Sequence, residues 1–348
     1  MSVYLYILIF MLLLSALNKL KHNKYYSHIV FLTIFIIAAF RSEEIGNDLA
    51  GYIELFQLNI DIGIKAELEF AYKMLSDILL LYSNDSSWYI LSTTTLTFVP
   101  LYYLILKKSN NPIFSLLIFF ILGIGFGFFL TGIRQCMAVV ICLWAFNFFE
   151  NKKYIYFVFL VIIASGIHLS ALMCFLFLLI SIFLPVSKKI KFLILYISVL
   201  IGFALELNIF ILLPIVSEIP GFANMADLYE YYTDYFTNIL PNFNGLLFTI
   251  VPNSIFAYFA IKYKSNSLSS KLLFTGVVLT NLFASTPSIP RYFLYIVIFQ
   301  IFLIPNIYPL LKNGERFIVN LTIFLLIIYF LFISLEINGI YMYSFLTN

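Results

Sequence analysis

Residues 114–130 read FSLLIFFILGIGFGFFL, a run that contains no charged side chain. An apolar run of this length is sufficient for a helix that crosses a hydrocarbon core of about 30 Å. Comparable runs occur at 192–213 and 317–335. Over all 348 residues, 63% are hydrophobic and 11% are charged, and the mean hydropathy is +1.01. These values are typical of a chain that lies mostly in lipid, so we predict an all-α, polytopic integral membrane protein.

Basic residues beside the apolar runs form six clusters. They account for fifteen of the chain's 20 Lys and Arg residues and comprise Lys19 with Lys21 and Lys24, Lys107 with Lys108, Lys152 with Lys153, Lys188 with Lys189 and Lys191, Lys262 with Lys264 and Lys271, and Lys312 with Arg316. Basic residues in short loops are retained on the cytoplasmic side. Keeping all six clusters inside sends 14 of the 17 acidic residues to the outer side or its margin, which agrees with this orientation.

This orientation predicts twelve spans, with both termini outside. They lie near 3–18, 28–41, 88–106, 113–130, 133–149, 154–167, 168–184, 192–213, 244–262, 272–286, 290–311 and 317–335. The stretch 70–82 is apolar but is interrupted by Lys73 and Asp77, so we interpret it as an interfacial or re-entrant helix on the outer side. The chain is then a single transmembrane domain, 1–348, with two larger outer segments at 42–87 and 214–243.

Three of the four arginines, Arg41, Arg134 and Arg291, lie at the predicted outer ends of separate helices. A cation beside lipid is costly, and three from distant parts of the sequence indicate that an anionic group is held there. The alternative interpretation is ordinary interfacial anchoring, in which each long side chain reaches up to water.

The second outer segment contains ADLYEYYTDYFTN at 226–238. On a helix, Asp227, Glu230 and Asp234 would share one face, with Tyr231 and Tyr235 beside them. Carboxylates next to flat rings suit sugars, which donate hydrogen bonds and stack on aromatic faces. The alternative is an interfacial helix whose tyrosines lie at the level of the lipid headgroups.

Four motifs occur in a fixed order. Residues 41–56 fit the pattern R-x(4)-G-x-D-x(3)-Y-x(3)-F, residues 131–135 read TGIRQ, residues 165–172 read SGIHLSAL, and residues 288–295 read SIPRYFLY. In this order, over nearly the whole chain, the sequence resembles the EpsG family of Wzy-type polysaccharide polymerases.

The resemblance implies a bacterial cytoplasmic-membrane glycosyltransferase of GT-C-like architecture, with its active site on the outer face. Such an enzyme moves a growing glycan from undecaprenyl pyrophosphate onto the next lipid-linked repeat, and the product is a capsule, a lipopolysaccharide O-antigen or an exopolysaccharide. The resemblance implies no metal and no other cofactor. Its expected partners are the lipid-linked oligosaccharide, membrane lipids and a chain-length regulator. The chain lacks the large arginine-rich outer loop of better-known Wzy proteins.

The leaving group of this reaction is a pyrophosphate that gains charge as the glycosidic bond breaks. Guanidinium groups bind phosphate oxygens in pairs and remain charged near lipid. Arg134 and Arg291 are therefore the leading pyrophosphate ligands that we predict, with Arg41 third.

Two residues compete for the role of general base toward the acceptor hydroxyl. His168 lies where the chain must turn between two predicted spans, on the outer side; it could instead bind pyrophosphate or satisfy a helix end. Asp48 lies one turn before Tyr52, which we expect to pack against a sugar ring, and its alternative role is that of a helix N-cap. Glu206, within a predicted span, could pair with an arginine or stay protonated.

A flippase for the lipid-linked repeat is the main alternative from another functional class, and an O-antigen ligase is chemically close. A transporter usually places its site near mid-membrane and shows related halves, whereas the candidate residues here collect at one face. The sequence has no Gly-rich phosphate loop, no HExxH and no metal-ligand spacing, so nucleic-acid binding, nucleotide hydrolysis and metal catalysis are not indicated. The three cysteines are interpreted as apolar filling.

Overall fold

A computed structural model describes residues 2–21, 25–57, 69–183, 187–204, 243–284, 289–337, 339–340 and 343–344. These residues contain helices and no β-sheet. The α-helices are α1 (Ser2–Lys21), α2 (Tyr25–Ala39), α3 (Leu49–Gln57), α4 (Phe70–Leu80), α5 (Ser86–Lys108), α6 (Pro112–Ile121), α7 (Phe126–Thr131), α8 (Ile133–Glu150), α9 (Tyr154–Ser165), α10 (Met173–Phe183), α11 (Lys188–Ala204), α12 (Phe243–Lys264), α13 (Leu268–Leu282), α14 (Ile289–Tyr292), α15 (Leu294–Val297), α16 (Gln300–Ile307), α17 (Asn313–Tyr329) and α18 (Leu335–Ile337).

Within the described ranges, three helical stretches are long and apolar enough to cross a membrane: Ser86–Lys108, Ile133–Glu150 and Asn313–Ser334. Shorter apolar helices accompany them at Val3–Leu17, Tyr25–Ala39, Pro112–Ile121, Tyr154–Ser165, Leu169–Phe183, Leu268–Leu282 and Leu294–Leu310. The prediction of an all-helical chain is thus confirmed for the described residues. Helical segments fall within each of the twelve predicted spans, while the number of crossings stays a prediction.

The run quoted first, 114–130, does not form a single helix. The helix α6 ends at Ile121, and α7 begins only at Phe126. A Cβ atom at Gly125 would lie 1.9 Å from the Phe119 carbonyl oxygen, so the intervening turn requires glycine. The expectation of one continuous helix here is wrong. Hydropathy alone does not register a close approach between two backbone segments.

The predicted span 290–311 is also interrupted. It divides into α14, α15, α16 and a 3₁₀ turn at Tyr308–Leu310. The helix α4 confirms a helix at 70–80, and its exposed side includes Phe70, Met74 and Ile78. That apolar stripe fits the predicted interfacial placement, which itself stays a prediction.

The chain divides into two compact units, one made of 1–179 with 298–348 and the other of 180–297. In the first unit, aromatic side chains fill the space between α1, α5, α6, α7 and the π-helical stretch Phe330–Ser334, which follows α17. Tyr4 meets Phe126 and Phe330 edge-on, with ring centroids 6.4 and 6.2 Å apart, and Phe98 meets Phe119 at 5.9 Å. All five rings are buried, which fixes the helix ends that carry the candidate site.

In the second unit, α11, α12 and α13 pack together. Asn281 Nδ2 donates hydrogen bonds of 3.0 Å to the hydroxyl oxygens of Ser198 and Ser254. Polar side chains between apolar helices need hydrogen-bond partners on neighbouring helices, because lipid tails and apolar side chains offer none.

Candidate functional site

The side chain of Arg134 lies in the first turn of α8 and pairs with Glu69, which directly precedes α4. The guanidinium carbon lies 4.9 Å from the centre of the Tyr72 ring. The arginine and glutamate side chains are 15% and 22% exposed. Arg134 Nε has no hydrogen-bond partner among the described residues. The side chain is therefore partly exposed and is held by one carboxylate and one ring, while its Nε atom is buried.

The same glutamate reaches the turn that carries His168. Glu69 Oε1 accepts a hydrogen bond of 3.1 Å from the backbone N–H of Leu169. A second backbone bond joins the two segments, because the N–H of Tyr72 donates to the carbonyl of Gly166 at 3.0 Å. The start of α4 thus links the start of α8 to the turn after α9.

His168 is partly buried in that turn, and its Nδ1 lies 2.6 Å from Ser170 Oγ. Burial lowers the pKa of His168 to about 4, and the nearby charge of Arg134 acts in the same direction. The imidazole is consequently neutral near pH 7, and its low pKa makes it a weak proton acceptor. The structure brings His168 and Arg134 close enough for the charge of Arg134 to act on the imidazole, while the roles predicted for the two residues stay predictions.

Tyr52 lies close enough to both Asp48 and Arg134 to interact with their charges. Burial raises the pKa of the Tyr52 phenol, the Asp48 carboxylate raises it further, and Arg134 opposes both effects. The exposed Asp48 directly precedes α3, and its carbonyl accepts a hydrogen bond of 3.1 Å from the N–H of Tyr52. This position fits the helix N-cap interpretation. Four of the predicted residues, Asp48, Tyr52, Arg134 and His168, therefore share one neighbourhood.

Arg41 lies in different surroundings. It is 1% exposed, and its guanidinium donates to the Ala38 carbonyl, to the Leu130 carbonyl at 3.2 Å and to Thr94 Oγ1 at 3.3 Å. Both carbonyls lie in the last turn of a helix, α2 or α7, where negative dipole ends favour a cation. The glycine of the same motif, Gly46 at φ +110°, would place a Cβ atom 2.7 Å from the Leu130 carbonyl oxygen.

Two buried tyrosines join the surroundings of Arg41 and Arg134. Tyr72, which carries the ring beside Arg134, shares a hydrogen bond between hydroxyl groups with Tyr89. Tyr89 is in turn close enough to Arg41 to interact with its charge. The two arginines thus belong to one connected polar network within the first unit.

The remaining predicted ligands lie in the second unit or outside the described residues. Arg291 lies on the short helix α14 in the second unit, with an exposed side chain. Its convergence with Arg41 and Arg134 stays a prediction. The predicted sugar contacts Glu230, Tyr231, Asp234 and Tyr235, together with Asp227 and Glu206, lie outside the described residues.

Sequence reasoning missed Glu69, Tyr72 and Tyr89. A carboxylate that directly precedes an apolar helix is a signal for Glu69, since such a charge near lipid needs a cationic partner. No comparable signal marks the tyrosines among the 25 in the chain. Within the part of the chain that the structure describes, no group of three or more His, Cys, Asp or Glu side chains could hold a metal ion.

Comparison with known proteins identifies a family. No curated protein and no solved structure matches the chain. The model of the EpsG family matches residues 24–346. The apolar helices and this match together indicate an integral membrane protein. The match covers nearly the whole chain, including the segments that hold Arg134, His168, Asp48 and Tyr52, and the chain therefore belongs to the EpsG family, whose members are Wzy-like polymerases.

Proposed function

We propose that this protein is a polysaccharide polymerase of the bacterial cytoplasmic membrane. It transfers a growing glycan from undecaprenyl pyrophosphate onto the next lipid-linked oligosaccharide repeat at the outer face. The observation that carries the proposal is the partly accessible guanidinium of Arg134 beside a neutral His168, in a chain of the EpsG family. The proposal includes twelve spans, a GT-C-like architecture and a single transmembrane domain with outer segments at 42–87 and 214–243.

In the proposed reaction, a sugar hydroxyl of the acceptor attacks the anomeric carbon of the donor. The bond between that carbon and the pyrophosphate oxygen breaks, and undecaprenyl pyrophosphate leaves with an additional negative charge. Arg134 stabilises this developing charge, which is the most effective use of a pre-positioned cation. Arg291 is the second proposed pyrophosphate ligand.

The proton of the attacking hydroxyl passes to His168 or to Asp48. His168 is neutral near pH 7 and can accept a hydrogen bond from the attacking hydroxyl, but its low pKa makes it a weaker base than a histidine that titrates near pH 7. Asp48 is exposed and reaches the cluster through Tyr52, which we propose as a contact for the sugar ring. Glu230, Tyr231, Asp234 and Tyr235 are proposed as further sugar contacts.

Glu69 has a double effect in this mechanism. Its carboxylate orients Arg134 and simultaneously competes with the pyrophosphate for the guanidinium. Its second oxygen holds the backbone next to His168. Substrate binding therefore requires the guanidinium to be shared between the carboxylate and the phosphate oxygens. Reaction takes place without a metal in this proposal, and a chain-length regulator is the proposed protein partner.

The decisive experiment uses purified full-length protein in liposomes with chemically defined lipid-linked repeats. A polymerase converts single repeats into longer glycans on the same carrier lipid. A ligase transfers glycan only when a different acceptor is supplied, and a flippase moves repeats across the bilayer without elongating them. Absence of elongation by correctly folded wild-type protein contradicts the proposed function.

A deletion strain distinguishes the same alternatives in cells. Loss of a polymerase leaves a single repeat on the final acceptor, whereas loss of a flippase leaves no repeat at the outer face. Complementation with Arg134→Lys tests the site, and Arg316→Lys is the matched control. Arg316 belongs to a basic cluster that the sequence assigns to the cytoplasmic side, and it donates to the Pro309 carbonyl at 3.1 Å. Wild-type polymer in the Arg134→Lys strain, at equal protein level, contradicts the assignment of Arg134.

A further inference from the structure

The second unit gathers positive charge at one end. Lys188, Lys189 and Lys191 lie in the first turn of α11, Lys264 ends α12, and Lys271 lies in the first turns of α13. None of the described residues of this unit is acidic. We call these five residues the lysine cluster. They lie at the end that the sequence assigns to the cytoplasm.

Contacts between the helices hold the cluster together. Lys188 Nζ donates to the carbonyl of Lys262 at 3.2 Å, which ties α11 to the end of α12. Lys191 is only 4% exposed, and its Nζ donates to the carbonyl and to the hydroxyl of Ser265 at 3.1 and 3.2 Å. The charges of Lys271 and Lys188 act on Lys191. Like charges are thus held close together by neutral acceptors, and an anion would relieve their repulsion.

An apolar stripe on α11 begins beside the cluster. Ile190, Leu193, Ile197 and Leu200 are 43–57% exposed. Their spacing of three and four residues places them on one face of the helix. The stripe therefore extends along the helix from its basic end, so the unit presents a cationic end that continues into an apolar surface.

We propose that the lysine cluster binds the phosphate headgroup of an anionic phospholipid, whose acyl chains lie along the stripe on α11. Basic pockets between helices on the cytoplasmic side suit such headgroups, and anionic lipids are enriched in that leaflet. A free phosphate shares the headgroup chemistry but makes no use of the stripe. The inference is independent of the polymerase reaction and of its site in the first unit.

The test is native mass spectrometry of the full-length protein in detergent. The probes are phosphatidylglycerol, phosphatidylcholine and inorganic phosphate, and the protein binds phosphatidylglycerol in preference to the other two. Lys188→Gln combined with Lys271→Gln weakens this binding by about tenfold or more, because each lysine near the surface contributes to anionic-lipid affinity. Ile190→Ala combined with Leu193→Ala also weakens it. Equal binding of the two lipids, or competition by inorganic phosphate at equal concentration, overturns the lipid assignment.

A matched control removes two lysines from the first unit, by Lys107→Gln combined with Lys312→Gln. Lys107 lies over the Trp144 ring at 5.4 Å, and Lys312 is exposed. This control leaves lipid binding within about twofold of wild type, and an equal loss in both double variants overturns the proposal. If the first lysine pair is needed for folding, Lys189→Gln with Lys264→Gln replaces it, since both side chains are exposed.

Discussion

The environments of Arg41 and Arg134 differ although the sequence assigns both residues to the same role. Arg41 is enclosed and donates to two backbone carbonyls at helix C-termini. Arg134 is partly exposed, and its main partner is the carboxylate of a glutamate side chain. A carbonyl fixed in a helix is not displaced by a ligand, whereas a side-chain carboxylate can share the guanidinium with phosphate oxygens. Two guanidinium groups in one network can thus serve different purposes.

The role of a buried cation depends on the groups that neutralise its charge. Two helix C-termini supply carbonyl partners for Arg41, and from these contacts we infer that Arg41 braces α2 against α7. A single carboxylate offsets the charge of Arg134, and a pyrophosphate can replace or share that partner.

The largest effect is expected for Arg134→Lys. Lysine preserves the charge but not the pair of parallel donors, so turnover of lipid-linked repeats falls about 100- to 1000-fold, as when one stabilising donor is removed from an active site. Thermal stability stays close to that of wild type, because the substituted ammonium group still pairs with Glu69. Turnover is measured with purified variants in liposomes, and Arg316→Lys is the control. Full turnover in Arg134→Lys would mean that Arg134, like Arg41, is not needed to bind the pyrophosphate.

Arg41→Lys is expected to act on stability instead. A lysine cannot donate to both helix ends at once, and a buried carbonyl without a donor costs about 1–3 kcal/mol. The amount of folded protein falls, while turnover per folded molecule is maintained. Unfolding in detergent, followed by circular dichroism, measures the first quantity, and the liposome assay measures the second. Normal stability with lost turnover would restore Arg41 to the phosphate-binding role that the sequence predicts.

Sequence patterns predict the helices of this chain better than the partners of individual side chains. Apolar runs and basic clusters are local signals, so they locate the helices, but the interruption at Gly125 depends on the close approach of a carbonyl oxygen. The motifs single out Arg134 and His168, which the structure places as neighbours. They do not identify Glu69, because an ion pair between residues far apart in sequence leaves no spacing to recognise.

A motif also does not state why a residue is needed. Arg41 and Gly46 share one motif; Arg41 donates to the Leu130 carbonyl, and a Cβ atom at Gly46 would lie too close to that carbonyl oxygen. An arginine and a glycine suit a close backbone contact as well as a phosphate contact, so the pattern alone predicts either. Only the positions of the neighbouring atoms distinguish these alternatives.

Glu69→Gln is expected to separate binding from catalysis. The amide can still accept the hydrogen bond from Leu169, but Arg134 loses its charged partner. We expect kcat to fall about tenfold, since a charge-assisted contact of about 1.5 kcal/mol no longer orients the guanidinium. KM falls as well, because no carboxylate competes with pyrophosphate. Initial rates over a range of donor concentrations measure both constants, and a higher KM contradicts the proposed competition.

His168 provides a pH-dependent test of the Arg134 surroundings. Its pKa is about 4 in the folded protein and near 6.5 when exposed. The unfolded chain therefore takes up a proton between these values, so the contribution of His168 to stability is fully present above about pH 6.5 and is lost as the pH falls toward 4. In Arg134→Gln the pKa rises, although burial keeps it below 6.5.

NMR of histidine-labelled protein measures this pKa, with His28→Ala and His22→Ala used to assign the other two signals. At pH 6, the limiting pKa of 6.5 would leave about one quarter of the imidazole neutral, so the neutral fraction falls by less than about fourfold. An unchanged pKa in Arg134→Gln would mean that the two side chains do not interact. In that case His168, the predicted base, and Arg134, the predicted phosphate ligand, would not belong to one site.

The smallest effect is expected for Tyr89→Phe, which cuts the hydrogen bond joining the two arginine environments. Tyr72 loses its hydroxyl partner, and the free energy of unfolding falls by about 0.5–1.5 kcal/mol. Turnover changes less than about twofold, because the Tyr72 ring still lies beside Arg134. A double-mutant cycle with Arg41→Lys measures how far the two regions depend on each other. If Tyr89→Phe lowers turnover as strongly as Arg134→Lys does, the network acts as a single catalytic unit and Arg41 belongs to it.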